Sequence, residues 1–479
     1  MKKNSIYIAL VAAFSLGITS CGDDFLQVDS RETVEAKDSE VTYEPEAFIN
    51  GVYGMFTEWD YAFSFLGITE IISDNADKGS SLTDAGTDKH FLDDLTFTAG
   101  NTGSFHAMWT RWYKSIGRAT LAIEYTENFG LTDQAYKNRL IGEARFIRAL
   151  NYFYLVRGWG AVPLQHLDLK RRAPEAEVYA YIEEDLLAAI EVLPLKSAYA
   201  SKDVGRATKG AAQGAFGQGI PLPGVSISRR WIWPKAVISS GQYSLETDYA
   251  RIWREVGENG PESLFEFQAR GESIAHGIQQ YSQTQGARGT GGWGWGFNVP
   301  SQNLLDAFLA ENDSVRMNAT IMFRGETLYD GRVVNAGAEN PMYNEKAYDS
   351  GNPGGSDNGK NLRYLRLGEI YLILAEAANE LGNTAEALQA LNTVRNRAKL
   401  PDFTSASQAD IRQKIWNERR LELAFEHDRW SDLVRTRKAE EAMKANGKPF
   451  NPVKHYLFPV HTNQLIQIPG FEQNPEWDK

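Results

Sequence analysis

Apolar residues recur at three-and-four spacing over much of the chain, the period of helices that bury one face. The pattern is densest from Asn361 to Lys438, where Leu362, Leu365, Leu372 and Ala375 are followed by Leu388, Leu391 and Val394. Gly382 and Asn383 interrupt the first run, Thr384 can cap the second, and the segment from Pro401 to Ser407 ends it. This predicts an antiparallel hairpin of helices and then one long third helix. In that third helix Trp416, Leu423 and Trp430 lie seven apart, with Ile415 and Val434 alongside, as a bulky stripe that docks on the hairpin. Tyr364, Leu367, Gly368 and Tyr371 fit the first-helix pattern of a tetratricopeptide repeat, with Tyr in the Trp place. Ala387 and Leu391 fit its second helix if the first is longer than standard.

Further helices are expected from Pro45 to Trp59, Ser104 to Phe129, Asp133 to Arg157 and over residues 174–192, with another starting near Thr208. Trp109, Tyr113, Ile116, Ala119 and Ile123 keep period in the second of these. The run GAFGQGIPLPGVSISRRWIWPKAV then opposes a helix interior, since each Gly costs about 1 kcal/mol and each Pro about 3 there. It reads either as a loop that has replaced a helix or as a short shift of reading frame restored by about Trp233.

From about residue 241 the pattern turns irregular. A strand is expected over Ser263 to Gln268, a short helix capped by Ser301 over residues 301–309, and a strand around Ala319 to Phe323. Eight glycines lie between Gly271 and Gly296. The fold class is thus mainly α: a tetratricopeptide-like helical repeat scaffold, about 41–240 and 361–440, with an irregular loop-rich lobe containing short strands, about 241–360. A tail from 441 to 479 closes the single body of residues 41–479.

Within the lobe, Trp293, Trp295 and Phe297 alternate with Gly294 and Gly296, so in an extended backbone all three rings face one way. Sugars carry apolar C–H faces rimmed by hydroxyls, and a sugar binder needs flat rings with amides or carboxylates nearby. The same rings also suit a packing role that locks the lobe together. Glu418, Glu422 and Glu426 lie four apart, where like charges repel. They require backbone N–H groups, Arg side chains or a ligand as partners.

The chain has 479 residues, 42% hydrophobic and 23% charged, enough for a substantial core and unlike bulk disorder. Its net charge of -12 and the lack of a basic run argue against nucleic acid as a partner. Residues 1–20 read as an export signal: Lys2 and Lys3, an apolar stretch from Ile6 to Ile18, then small residues before Cys21. Cys21 is the only cysteine, placed in GITSC where a bacterial lipoprotein is cleaved and lipidated, so no intrachain disulfide is expected. Several acyl chains on one residue anchor firmly, and residues 21–40 read as a lipidated tether.

The runs NERRLELAFEHDRWSDLVR, LRLGEIYLILAEAANELGN and YLFPVHTNQLIQIPGFEQNPEW resemble the SusD/RagB family of outer-membrane nutrient-binding lipoproteins. The resemblance implies a lipid-anchored, outward-facing glycan or oligosaccharide binder that serves a SusC-like TonB-dependent transporter in the outer membrane. It also implies that Asp23 and Asp24 belong to the export mark, and that the loops from 59 to 101 cover the ligand. Trp59 and Asp60 open that segment. Asp74 and Asn75 are either a helix end with Asx turns or, by the resemblance, part of a loop lining the ligand site. Phe97 and Asn101 stand where starch-binding relatives place a stacking aromatic and an amide. With Trp293 and Trp295 these complete the candidate ligand-binding set.

No dinucleotide or P-loop glycine motif, HExxH or GxSxG occurs, and the seven histidines show no metal spacing. No cofactor and no enzymatic activity are therefore expected. A peptide-binding member of the same family is one alternative, and a glycoside hydrolase is the remaining enzyme reading, since its carboxylate pair is defined in space and not in sequence.

Overall fold

A computed structural model describes residues 43–477 apart from 82, 85–87, 166–168, 219–226, 272–276 and 352–357, with the backbone alone at 227–230. Cys21, the expected leader and the tether lie outside the described residues. The scaffold begins with α1 (Pro45–Tyr53), α2 (Gly103–Asn128), α3 (Gln134–Trp159) and α4 (Glu175–Val192). α3 packs between α2 and α4 and is buried along most of its length after Leu140. Such a helix must satisfy its polar groups internally. Arg148 donates to both oxygens of Asp185 at 2.7 and 2.8 Å, Glu143 meets Arg206 at 2.9 Å, and Asn151 donates to Ser115 at 3.0 Å. Arg145 joins Asp185 at 3.5 Å, so these polar residues of α3 form ion pairs and hydrogen bonds within the scaffold.

α5 (Lys209–Gln218) keeps its helix through Gly214 and Gly217, contrary to the sequence expectation. Close packing is the reason. A Cβ on Gly214 would come within 2.8 Å of Leu365 and 2.9 Å of Leu264, and one on Gly217 within 3.1 Å of Pro234. Pro234 itself lies inside α6 (Ile227–Ser239), which packs on α5. The missing side chain of Gly217 thus makes room for the proline ring on α6, and that of Gly214 for Leu264 and Leu365. Gly219, Pro221, Pro223 and Gly224 lie outside the described residues.

The irregular lobe uses paired two-stranded sheets. β1 (Ala76–Gly79) runs antiparallel to β3 (Phe297–Pro300), with Asp77 opposite Val299 and Gly79 opposite Phe297. β2 (Ser263–Phe267) pairs with β6 (Leu362–Arg366), and β4 (Ile321–Phe323) with β5 (Met342–Asn344). α7 (Gln302–Ala310) begins at the Ser301 cap, whose hydroxyl accepts from Leu304 N–H. A separate apolar cluster of Trp293, Val299, Met322, Tyr343 and Tyr348 centres the lobe.

Leu362 and Leu365, which keep helical period in the sequence, lie in β6 instead. A short strand buried on both faces carries the same apolar run as a buried helix, so period alone does not separate them. α8 (Leu367–Glu380) and α9 (Thr384–Arg397) form the expected hairpin. Gly382, at φ +78, closes it: its N–H donates to Asn379 O and the next N–H to Ala378 O, a Schellman turn that requires the left-handed conformation. Asn383 holds the cap position and Thr384 is the first helical residue, without a side-chain cap.

The single long third helix becomes three: α10 (Gln408–Glu422), α11 (Arg429–Arg435) and α12 (Ala439–Ala445). Phe425, His427 and Arg437 all take positive φ, which breaks the helical path twice. The first break is held by burial: His427 N–H donates to Glu70, and its imidazole Nδ1 lies 2.9 Å from Thr69 Oγ1. Glu418 and Glu422 of α10, and Glu426 in the break after it, then find cationic partners. Glu418 meets Arg316 at 2.7 Å and Arg395 at 2.8 Å; Glu422 meets Arg316, Arg366 and Arg397; Glu426 meets Arg366 and Lys346, both at 2.7 Å. Burial alone would raise the Glu422 carboxyl, but Arg397, Arg366 and Arg316 hold it well below the usual carboxylate range.

Candidate functional site

Trp59 opens a short helix, Trp59–Ala62, and stays half-buried. Its indole lies against Phe63, one turn on, with centroids 5.4 Å apart and planes 24° apart. The second contact comes from the lobe: Trp295 meets Trp59 edge to face at 5.8 Å and 63°. Trp295 is also half-buried, with its backbone N–H held by Gln283 O at 2.9 Å. Phe63 is braced from beneath by Phe297, edge to face at 5.0 Å, and by the Lys89 ammonium 3.9 Å from its ring centre. The β1–β3 pairing is what carries the 293–300 segment to the segment that follows Trp59. Gly277 lets the chain pass directly over Trp59, since a Cβ there would stand 1.9 Å from the Trp59 nitrogen.

The residue that follows Trp59 in the short helix is a carboxylate fixed by α2. Asp60 Oδ2 accepts from Arg111 Nε at 3.0 Å and Nη2 at 2.9 Å, while Arg111 also reaches Glu58 at 3.2 Å. Both bonds fall on one oxygen, which leaves Oδ1 to accept a further donor. Two partly exposed indoles beside an oriented carboxylate form a surface that can take a flat apolar face and a rim of hydroxyls together.

The other candidate residues are placed differently. Trp293, Trp295 and Phe297 do not share a face, because the strand begins only at Phe297 and Gly296 is left-handed at φ +72. The preceding turn folds back on residues 283–287: Trp293 N–H and Gly294 N–H both donate to Ala287 O at 2.8 Å. Trp293 is buried in the lobe cluster, 5.6 Å from the Tyr348 ring. Phe97, expected from the resemblance as a stacking aromatic, is also buried and stacks at 5.2 Å on Trp477 of the closing tail. Asn101 is half-buried and braces its own loop, its Oδ1 accepting from Thr98 N–H at 2.6 Å and Thr102 Oγ1 at 2.9 Å.

Asp74 and Asn75 are buried against α10 and α11. Arg429 donates to both Asp74 oxygens at 2.7 Å and Arg420 stands 3.2 Å away. Burial pushes the Asp74 carboxyl up, yet these two guanidiniums bring it well below the ordinary range. Asn75 Oδ1 accepts from Arg420 at 2.8 Å. Asp74 lines a groove of about 230 Å³ with Trp416, Arg420 and Arg429. Trp59, Asp60 and Trp295 are absent from its lining.

Phe63 and Arg111 escaped the sequence reading. Phe63 had a local signal, the four-residue spacing from Trp59, whereas Arg111 sits on the polar side of α2 with nothing in the sequence to connect it to Asp60. Among the described residues no group of three or more His, Cys, Asp or Glu side chains is arranged to hold a metal, and no helix is long and apolar enough to cross a membrane.

Two family models match the chain. One, described as the SusD family, covers residues 261–477, and the other, described as starch-binding and associating with the outer membrane, covers residues 24–217. SusD-like protein P2 of Formosa agariphila is 27% identical over 475 residues, covering 90% of each chain. A SusD-like protein of Bacteroides ovatus is 29% identical over 371 residues, 68% of this chain and 64% of its own. Among solved structures, a laminarin-binding SusD-like protein is 25% identical with a TM-score of 0.75, over 90% of this chain and 99% of its own. Surface glycan-binding protein A from Bacteroides thetaiotaomicron, in complex with laminarihexaose, superposes with a TM-score of 0.75 at 22% identity, over 90% and 98%.

Proposed function

The chain belongs to the SusD/RagB family, and from that premise we propose that it is a cell-surface lipoprotein that captures a glycan and passes it to a SusC-like TonB-dependent transporter. The observation that carries the binding reading is the pair of half-buried indoles, Trp59 and Trp295, set 5.8 Å apart beside the open oxygen of Asp60. Sugar rings stack on the indoles, and Asp60 Oδ1 receives a hydroxyl. Asp74, Asn75, Phe97 and Trp293 are buried in the fold and stand outside that surface.

Capture of this kind uses stacking and hydrogen bonds and breaks no bond. The laminarin-binding relative supports a neutral β-glucan as the first ligand to try. Lipidation at Cys21 places the protein at the outer membrane facing outward, and a ligand that favours a closed arrangement of binder and transporter shifts that population.

Affinity electrophoresis in gels with laminarin tests the reading. Retardation of the parent protein is expected, with a loss of roughly tenfold in affinity, about 1.4 kcal/mol, for Trp59→Ala and for Trp295→Ala. Equal retardation of the parent and both variants would remove the aromatic surface from the mechanism. Retention on a peptide matrix in place of every neutral glycan would overturn the glycan assignment.

A further inference from the structure

A second cavity, of about 330 Å³, opens between α3, α4, α11 and the closing tail. Phe153, Val156, Tyr179 and Leu457 give it apolar wall. Its charged lining is unbalanced: Arg157, Arg419, Arg435 and Arg437 face only Glu175 and Asp428. Two of the four cations are fully engaged. Arg419 pairs with Glu369 at 2.5 Å and Asp428 at 2.8 Å, and Arg435 donates to both oxygens of Glu376 at 2.6 and 2.9 Å.

The other two are not. Arg157 Nη2 donates to Asp428 Oδ1 at 3.3 Å, a single and long bond for an ion pair, while Arg419 holds the other oxygen at 2.8 Å. Its guanidinium instead lies 4.7 Å from the Phe153 ring. Arg437, at an exposed position, makes no side-chain hydrogen bond or ion pair among the described residues, and its guanidinium stands 4.6 Å from the Tyr456 ring. Glu175 lines the same cavity without an ion pair to Arg437 among the described residues, and burial pushes its carboxyl up against the pull of that guanidinium. In a chain of net charge -12, two underused guanidiniums with aromatic backing at one cavity call for an anion.

We propose that this cavity binds a small organic carboxylate of monosaccharide size, such as a sugar acid. The carboxylate is received between Arg157 and Arg437, whose planar forks match it better than an ammonium would. The apolar walls take the ring, and the Ser431 hydroxyl, which also lines the cavity, bonds to a ring hydroxyl. The volume sits at the small end of the range for ligand sites, which admits one sugar ring and not a chain. The proposal does not depend on the Trp59–Trp295 surface, whose residues are absent from this lining.

Calorimetric titration of the full chain with glucuronate, glucose and inorganic phosphate tests it. Saturable glucuronate binding in the millimolar range or tighter is expected, weakening as salt is added, with glucose giving none. Arg437→Gln, at an exposed position, and Ser431→Phe, which fills the cavity, should each weaken it at least tenfold while laminarin retention stays as in the parent. Absence of glucuronate binding, equal binding of phosphate, or unchanged binding in both variants would overturn the proposal.

Discussion

Glu70 is the residue whose chemistry most depends on its surroundings. It lies in a π-helical turn, Gly67–Ile71, fully buried, with Oε1 accepting from His427 N–H and Oε2 without a hydrogen bond. Burial pushes its carboxyl up to about 8, the His427 N–H opposing, and burial alone pushes the His427 imidazole down to about 3. Both side chains are therefore neutral in the fold near neutral pH. The sign for Glu70 follows from linkage: the folded state holds this proton more tightly than the unfolded chain, so its contribution is fully present below about 4.5 and is lost as pH rises through about 8. The isostere Glu70→Gln keeps the acceptor and stays neutral. Thermal denaturation should show Glu70→Gln gaining on the parent by about 1–3 kcal/mol between those limits. A constant difference at both ends of the range would mean that Glu70 titrates normally.

At the scale of elements, the break between α10 and α11 does what a continuous helix would not. Left-handed turns at Phe425 and His427 let Glu426 face Arg366 and Lys346, while α10 directs Glu418 and Glu422 into the same lattice. Removing one member leaves buried guanidiniums without counter-charge. Glu422→Leu should cost about 3–5 kcal/mol, read from urea unfolding, because Arg316, Arg366 and Arg397 all lose it. A cost under about 1 kcal/mol would show the lattice to be dispensable, as exposed pairs are. The repulsive spacing of the three glutamates was legible in the sequence and correctly demanded outside partners. Which arginines answered was not, since Arg316, Arg366 and the pair Arg395 and Arg397 come from three different elements.

Over the whole molecule, the scaffold and the lobe divide the work. The helices of the scaffold bury a large apolar cluster and a smaller one where α8, α9 and α10 meet, while the lobe keeps its own around Trp293 and Tyr343. The proposed surface lies where short segments from both are sewn together by β1 and β3. Placement at the membrane, in this reading, rests on Cys21 alone. Cys21→Ser should move the protein out of the outer-membrane fraction while leaving laminarin retention in the purified protein unchanged; continued co-fractionation with the membrane would show that lipidation at Cys21 is not its anchor.

The sequence by itself determined the helical class, most helix limits and the irregular lobe, because three-and-four period, caps and glycine clusters act over a few residues. It also carried the family, through runs spread along the chain. Only the tertiary structure decided that Trp295 joins Trp59 while Trp293 and Phe97 turn inward, that Leu362 and Leu365 form a strand, and that the third helix breaks at Phe425 and His427. Each of those outcomes depends on partners far away in the chain, such as Trp59 for Trp295, Trp477 for Phe97, β2 for β6 and Glu70 for His427. Local periodicity holds no information about such partners, because burial and pairing are settled only when the distant segments meet.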